Sequence, residues 1–576
     1  ASGKWQPSWS PDGQQLVFAE YESPTFSVVT VNLSDGKQEQ LAETRLWFPR
    51  PHFSADGQSL YYSSNKPNGT GTLYRLPLKE KAKAEPITQL VHPLSDGLVS
   101  TDGQWLVFRR NTEIWVARLG NEPVKEEDVR QLSPEGGDTF AFTPDGSALI
   151  YAVGNRVWRH PLTGGEAEEI AIRLKFQRRT PPPLLVRRVR VLDFLSGGFG
   201  GETSLFIEEG RIRWIGSEHG RQLPQQIITV DAAGRFAIPG LFDFHAHTWH
   251  GTWGANQNAF LAYGVTSIRD PGGALIWMNA LADRSKATGD PVPRYFYSGD
   301  LFEGRQAVGG DLGVLINNED DARTYVRRWK EWGAQFIKPY PTLPWPLKRK
   351  VAEEARRLSL PVVGHGTNVE EVTKSVILGY TVLEHIGDNP YHDDVLQMLA
   401  AAGTRWDPTL AIMGGNALLL HAEPERVADA KFRTFAHMPS FRKGQTGLCV
   451  KHLNYNGRLG LWIGQLASIR AAHRLGIKLQ VGTDATQACV FYGSSLHWEL
   501  EYFVQAGIPP LEVLRMATQE AAAGVGADED LGTLEVGKLA DIVLLDANPL
   551  EDIKNTQTIW RVIKGGFVFD PDELRP

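Results

Sequence analysis

Asp243-Phe244-His245-Ala246-His247 ends the apolar run Phe236-Ala237-Ile238-Pro239-Gly240-Leu241-Phe242. The run reads as a strand leaving a turn. On a strand, residues i and i+2 point the same way. His245 and His247 therefore project together from one strand end, as two ligands of one metal ion would. The pair alone is a weak signal, because surface histidines fall at this spacing by chance. Its weight depends on what stands at the ends of the strands that follow.

From residue 241 to about 530, short apolar runs alternate with helical stretches, the mark of βα units on a parallel sheet. The predicted strands are Leu241–His247, Val265–Asp270, Tyr295–Ser298, Phe336–Tyr340, Pro361–His365, Val382–His385, Thr404–Asp407 and Leu479–Asp484. Apolar residues at i, i+3 and i+4 fall between them, as from Lys348 to Leu358 and from Pro509 to Thr518. Eight such units is the count of a (β/α)8 TIM-type barrel, whose active site lies at the C-terminal strand ends.

Polar residues at those ends are His245 and His247, His365, His385 and Asp484, with Lys338 on the fourth strand. Each has an ordinary explanation alone: a strand-end histidine is more often a hydrogen-bonded core residue, and an aspartate before a helix is usually an N-cap. Four imidazoles and a carboxylate at one barrel mouth are harder to explain that way, and they use only four of the 15 histidines. Lys338 lies between Ile337 and Pro339 in an apolar strand. If it faces inward, an unpaired ammonium there is strongly disfavoured. Carboxylation by CO2 would turn it into an anionic two-oxygen bridge between two cations.

The first third carries a repeat. Trp9-Ser10-Pro11-Asp12-Gly13, Phe53-Ser54-Ala55-Asp56-Gly57, Ser100-Thr101-Asp102-Gly103 and Phe142-Thr143-Pro144-Asp145-Gly146 each precede an apolar run, and their aspartates recur at 44, 46 and 43 residues. Asp-Gly between apolar runs is a hairpin signal, because glycine accepts the positive φ of a tight turn. Several strands per period of this length fit a propeller blade. Four blades are few, and the N-terminal end is expected to lack some or to form an open arc. After Pro181-Pro182-Pro183, a stiff linker, short strands precede the central segment, and similar strands follow it. The domains read as 1–176, β-propeller repeats; 181–240 with 531–576, a small composite β-sandwich; and 241–530, the barrel. The fold class is thus multidomain, a partial all-β propeller plus a (β/α)8 barrel.

Composition sets outer bounds. The 576 residues are too many for one core, and 42% hydrophobic with 22% charged residues is ordinary for a globular protein. A net charge of −7 argues against nucleic acid as a partner. No apolar run reaches about 18 residues, so no membrane span is expected. No signal peptide opens the sequence, and processing or truncation would each account for that. The two cysteines, Cys449 and Cys489, form no metal-type cluster.

The ordered set HxH, Lys, His, His, Asp resembles the amidohydrolase superfamily, in its binuclear subtype with a carboxylated lysine. The resemblance covers roughly residues 181–576 and includes Gly264-Val265-Thr266-Ser267-Ile268-Arg269-Asp270 and the tail Leu531-Gly532-Thr533 through Ala540-Asp541-Ile542-Val543. Gly482-Thr483-Asp484-Ala485 and Phe336-Ile337-Lys338-Pro339-Tyr340 look most like its imidazolonepropionase- and prolidase-like branch. The turns of the first third resemble the TolB-like propeller repeat. The resemblance implies two divalent metal ions, Zn2+ first and Mn2+ or Fe2+ next. One would sit on His245, His247 and Asp484, the other on His365 and His385, with carboxylated Lys338 bridging them. It further implies a metal-bridging hydroxide as nucleophile and Asp484 as general base and acid.

Tyr340, on the strand face of Lys338, and His250, just past the histidine pair, are candidate substrate contacts. Arg269 and Asp270 read as a structural pair. An insertion at about 411–475, holding His437, His452 and Tyr455, is expected to shape the pocket. The expected activity is hydrolysis of an amide C–N bond in a dipeptide, an N-acyl amino acid or a cyclic amide, with the small-molecule substrate as partner and a homo-oligomer possible. Alternatives are a lactone or phosphoester hydrolase on the same centre, and a catalytically dead propeller-based binding protein. The TolB-like repeat implies a periplasmic or other extracytoplasmic setting.

Overall fold

The structure, a computed structural model, describes residues 4–574 except 23–24, 45–48, 66–70, 80–81, 93, 134–135, 138, 154–155, 174–178, 249–256, 287–288, 305–311, 388–390, 429, 436–454 and 486–488. The arrangement is multidomain, an all-β propeller-type part plus a TIM-barrel part. Two compact units are resolved by contact density, residues 1–176 with 307–315, and residues 177–306 with 316–576.

The first unit contains four four-stranded sheets, each with its strands in chain order. Their long hairpins are Gln15–Glu22 with Thr25–Asn32, Ser59–Asn65 with Gly71–Pro77, Trp105–Arg110 with Glu113–Arg118, and Ala148–Val153 with Arg156–Pro161. All four pair antiparallel. One turn chemistry repeats ahead of each hairpin. Asp12 accepts from Ser10 Oγ at 2.6 Å and from Gln14 N at 3.0 Å, and Asp56 does the same with Ser54 Oγ at 2.6 Å and Gln58 N at 2.9 Å. Asp102 and Asp145 repeat it with Ser100 and Thr143. In all four the hydroxyl bond is the leading cause that holds the carboxyl below its ordinary range. The glycine that follows has φ of 68–70° each time, the left-handed turn expected from Asp-Gly.

In the second unit, the strands Leu241–Asp243, Val265–Asp270 and Arg294–Tyr297 pair in parallel, as do Val363–His365, Val382–Glu384 and Arg405–Asp407. The predicted strands at 336–340 and 479–484 are too irregular to form ladders. They are tied in by single parallel bridges, Ile337 to Val362 and Trp406 to Leu479, and Ala246 bridges Ala485. The first predicted strand also ends early, at Asp243. Beyond it, His245 O accepts from both Thr483 N and Asp484 N, which ends the regular ladder where the functional residues begin.

Strands from both flanks of this segment form one nine-stranded sheet. Phe236–Pro239 runs antiparallel to Ile542–Leu545, so residues some 300 positions apart in sequence share a ladder. The core beneath it contains Leu184, Val186, Val189, Leu205, Ile542 and Leu544, all 0% exposed. Within the expected insertion, Asn416–Ala422 and Tyr455–Arg474 are helical; His437 and His452 lie outside the described residues. Cys489 is disulfide-bonded, and Cys449 is the only other cysteine in the sequence.

Candidate metal centre

His245, His385 and Asp484 come together. One ligand atom from each lies within 4.8 Å of the others, and the three residues are 0%, 6% and 8% exposed. His245 Nε2 stands 3.6 Å from Asp484 Oδ1, and His247 Nε2 stands 3.2 Å from the same oxygen. The His365 ring lies 4.6 Å from that of His385, and the His385 ring 4.9 Å from that of His245. Residues from four strand ends thus meet as the spacing argument required. Lys338 is 2% exposed, its charge facing His365, His245, Glu384, Asp484 and Asp407. Tyr340 packs edge-on against His365 at 4.9 Å. His250 lies outside the described residues.

Three of the four imidazoles are oriented by a partner on Nδ1. His245 Nδ1 is 2.9 Å from Glu384 Oε2, His385 Nδ1 is 2.8 Å from Thr409 Oγ1, and His247 Nδ1 meets Asp270 Oδ1 at 3.2 Å and Gly272 O at 2.9 Å. Such partners set the tautomer and aim the free nitrogen. Asp270 is itself fixed by Thr248 N and Oγ1, both at 2.8 Å, and by the Tyr295 hydroxyl.

This corrects the expected Arg269–Asp270 pair. Neighbouring residues on a strand face opposite ways. Asp270 turns to His247, while Arg269 donates to Phe244 O at 2.9 Å and to Glu384 Oε1 at 2.6 Å between the rings of Phe244 and Phe336. Glu384 and Thr409 were missed from sequence, and Arg269 was read with the wrong partner. The available signal was Glu384 itself, a charged residue inside the apolar strand Val382–Glu384.

The donor set fits metal ions. His245 Nε2 and His365 Nδ1 are buried without a hydrogen-bond partner, a costly state for polar atoms unless something is meant to engage them. Burial pushes His245 down to about 4 and His385 to about 3, and lowers His365 as well, so these imidazoles are neutral, the form that binds metal. Burial opposes a charge on His247 too, but its bonds to Asp270 and Asp484 outweigh this and raise it to about 9. His385 and Asp484 both hold left-handed backbone, at φ 71° and 61°. Such strain in a non-glycine residue costs roughly 1–2 kcal/mol and clusters at functional sites.

Glu384, Asp407 and His245 also place ligand atoms within 4.8 Å of one another. The Arg269 guanidinium already supplies positive charge to Glu384, so this trio supports the centre from below rather than holding an ion of its own. Burial, then the charge of Glu384, pushes the Asp407 carboxyl well above the usual carboxylate range.

Residues 310–568 match the amidohydrolase family, and residues 3–160 match the TolB β-propeller domain. The chain carries an amidohydrolase domain. An Aspergillus niger ochratoxinase is 34% identical over 116 residues, which span 19% of this chain and 23% of that protein, less than a quarter of its length. An imidazolonepropionase from Sphingopyxis alaskensis is 25% identical over 358 residues, covering 59% of this chain and 85% of its own. Among solved structures, a Bifidobacterium longum protein assigned as a prolidase superposes with a TM-score of 0.56 at 25% identity, over 69% of this chain and 98% of that one. The described amidohydrolase domain contains no helix long and apolar enough to cross a membrane.

Proposed function

We propose that this protein is a metal-dependent hydrolase of C–N bonds, acting on a small amide such as a dipeptide, an N-acyl amino acid or a cyclic amide. The observation that carries this reading is the convergence of His245 Nε2, buried and without a hydrogen-bond partner, on Asp484 Oδ1 at 3.6 Å, beside His247 and His385. The amidohydrolase domain and its likeness to prolidase, ochratoxinase and imidazolonepropionase support the bond class.

In this reading the second unit is a (β/α)8 barrel whose eighth strand returns to the first, which the bridge between Ala246 and Ala485 supports. The domains divide at 1–176, 241–530, and 181–240 with 531–576. His245, His247 and Asp484 would hold one ion and His365 and His385 the other, and Lys338, if carboxylated, would supply a further anionic ligand. Burial lowers the Lys338 ammonium, and the neutral amine so favoured is the form that reacts with CO2. Zinc suits the imidazole and carboxylate set. Bound metal would lower the pKa of water toward roughly 7 and polarise a carbonyl.

The chain's own residues do the rest. Asp484, whose Oδ1 lies 3.2 Å from His247 Nε2 and 3.6 Å from His245 Nε2, would take a proton and return it to the leaving nitrogen. Tyr340, half-buried against His365, presents a hydroxyl to the substrate. An extracytoplasmic setting is supported by the disulfide at Cys489, since such bonds persist in oxidising compartments.

The test is metal content of protein purified without chelator, together with hydrolysis of the three amide classes by the metal-loaded enzyme. Two ions per chain and turnover of one class are expected, with both reduced in His245→Ala. Less than about one ion per chain, or full activity in His245→Ala, refutes the assignment.

A further inference from the structure

The braces on the imidazoles differ in kind. His245 and His247 meet the carboxylates of Glu384 and Asp270, whereas His385 meets a neutral hydroxyl, Thr409 Oγ1, at 2.8 Å. A carboxylate holds an imidazole by charge as well as by direction. A hydroxyl gives direction alone, and only if it is itself held in place. What holds Thr409 therefore decides how His385 is aimed.

Thr409 follows the strand Arg405–Asp407 and is 0% exposed, with φ at 46°. Left-handed backbone is costly for a β-branched residue and persists only where the surroundings impose it. On one side, strand and ligand are tied together: His385 N donates to Asp407 O at 2.7 Å, and Trp406 Nε1 donates to His385 O at 2.7 Å. On the other side the tie comes from a distant side chain. Glu499 accepts from Leu410 N at 2.7 Å through Oε1 and from Ala411 N at 2.6 Å through Oε2. Both oxygens of one carboxyl thus fix the two peptide units that leave Thr409. Glu499 stands on the helix Ser494–Gln505, 89 residues beyond Leu410.

That position is a costly one for an acid. Glu499 is 0% exposed, and burial, with the charges of Asp407 and Asp243, pushes its carboxyl well above the usual carboxylate range, while the two N–H bonds pull it back. An apolar residue there would avoid the cost but would leave the Leu410 and Ala411 amides without this acceptor. We propose that Glu499 is a positioning residue of the metal centre, acting through Thr409 to aim His385 at its ion. The proposal rests on the two-ion reading of the centre and adds to it a residue that touches neither ion nor substrate.

Titration of the metal-free full chain with Co2+, followed by the absorption of the bound ion, tests this. The unaltered protein is expected to bind two ions; if it binds none, the two-ion reading and this proposal fall together. Thr409→Val loses the hydroxyl at nearly constant volume, and Glu499→Gln turns one acceptor into a donor that faces an N–H. Each is expected to weaken one of the two ions about 10- to 100-fold and to alter its absorption. Thr409→Ser, which keeps the hydroxyl, is expected to retain that ion. Glu499→Gln added to Thr409→Val is expected to weaken it no further, because the two residues act in series. Losses that multiply in the double variant would make Glu499 a structural residue alone and overturn the proposal, while the two-ion reading stands. Unchanged Co2+ binding in folded Glu499→Gln overturns it equally. Circular dichroism checks folding; if Glu499→Gln does not fold, Glu499→Asp, too short to reach both amides, takes its place. Unchanged Co2+ binding in Thr409→Val overturns the proposal whichever Glu499 variant folds.

Discussion

His245 reaches the centre with its Nδ1 already engaged by Glu384, and Glu384 is held in turn by Arg269. The chain of contacts means that a residue touching no substrate governs a ligand. Glu384→Gln is expected to lower metal affinity about 10- to 100-fold through the loss of that orientation. It also leaves the Arg269 charge buried and less well compensated, at a cost of up to roughly 3–5 kcal/mol. Metal titration and denaturant unfolding of the variant separate the two effects. Far from the centre, burial and the like charge of Arg294 push Lys564 down to about 8 from its ordinary 10.5. Between these values the unfolded chain binds a proton that the folded chain has lost, so stability rises with pH across the window and the penalty is fully present below it. The rise attributable to Lys564 is about 3 kcal/mol. Unfolding measured on both sides of the window should reveal it in the unaltered protein, and Lys564→Met should lack it. At this scale the ligands were legible, because residue type and strand-end position are both local. Glu384 and Arg269 were not read as partners, because they lie 115 residues apart.

Elements bear on function here through their ends. The strand expected to carry His245 and His247 stops at Asp243, and the histidines occupy irregular chain whose backbone is tied to the segment at 479–485. Close packing at that junction depends on Gly482, where a Cβ would stand 2.2 Å from Asp407 Oδ2 and 2.7 Å from His245 N. Gly482→Ala is therefore expected to displace His245 and abolish stoichiometric metal binding while leaving the propeller-type sheets intact. Metal analysis with circular dichroism checks both halves of that statement. The propeller hairpins were fully legible, since a Ser/Thr–Asp–Gly turn closes its own hydrogen bonds within about five residues and needs nothing distant. The fourth and eighth barrel segments were legible as apolar runs but not as irregular chain. Their backbone departs from a regular ladder where Lys338 and Asp484 must turn inward, and left-handed φ at Asp484 has no signature in residue type.

On the scale of the molecule, each of the two units has its own buried cores, Leu106 and Phe108 among the first and Ile542 and Leu544 in the second. Two thermal transitions are expected, and chelation should lower only that of the unit containing His245, because a ligand stabilises the structure that binds it. Calorimetry with and without chelator measures this; a single transition that shifts as a whole would contradict it. The split sheet could be suspected from two β-rich flanks, but its ladder from Phe236–Pro239 to Ile542–Leu545 depends on the whole intervening segment folding back. What the amino-acid order determined alone was whatever is periodic or local: blade repeats, alternating units, and ligand-type residues at the ends of apolar runs. Only the tertiary structure decided which nitrogen of His245, His247 and His385 faces the centre and which carboxylate braces which ligand. Those outcomes depend on side chains brought together from distant positions, where direction and burial, rather than residue type, set the chemistry.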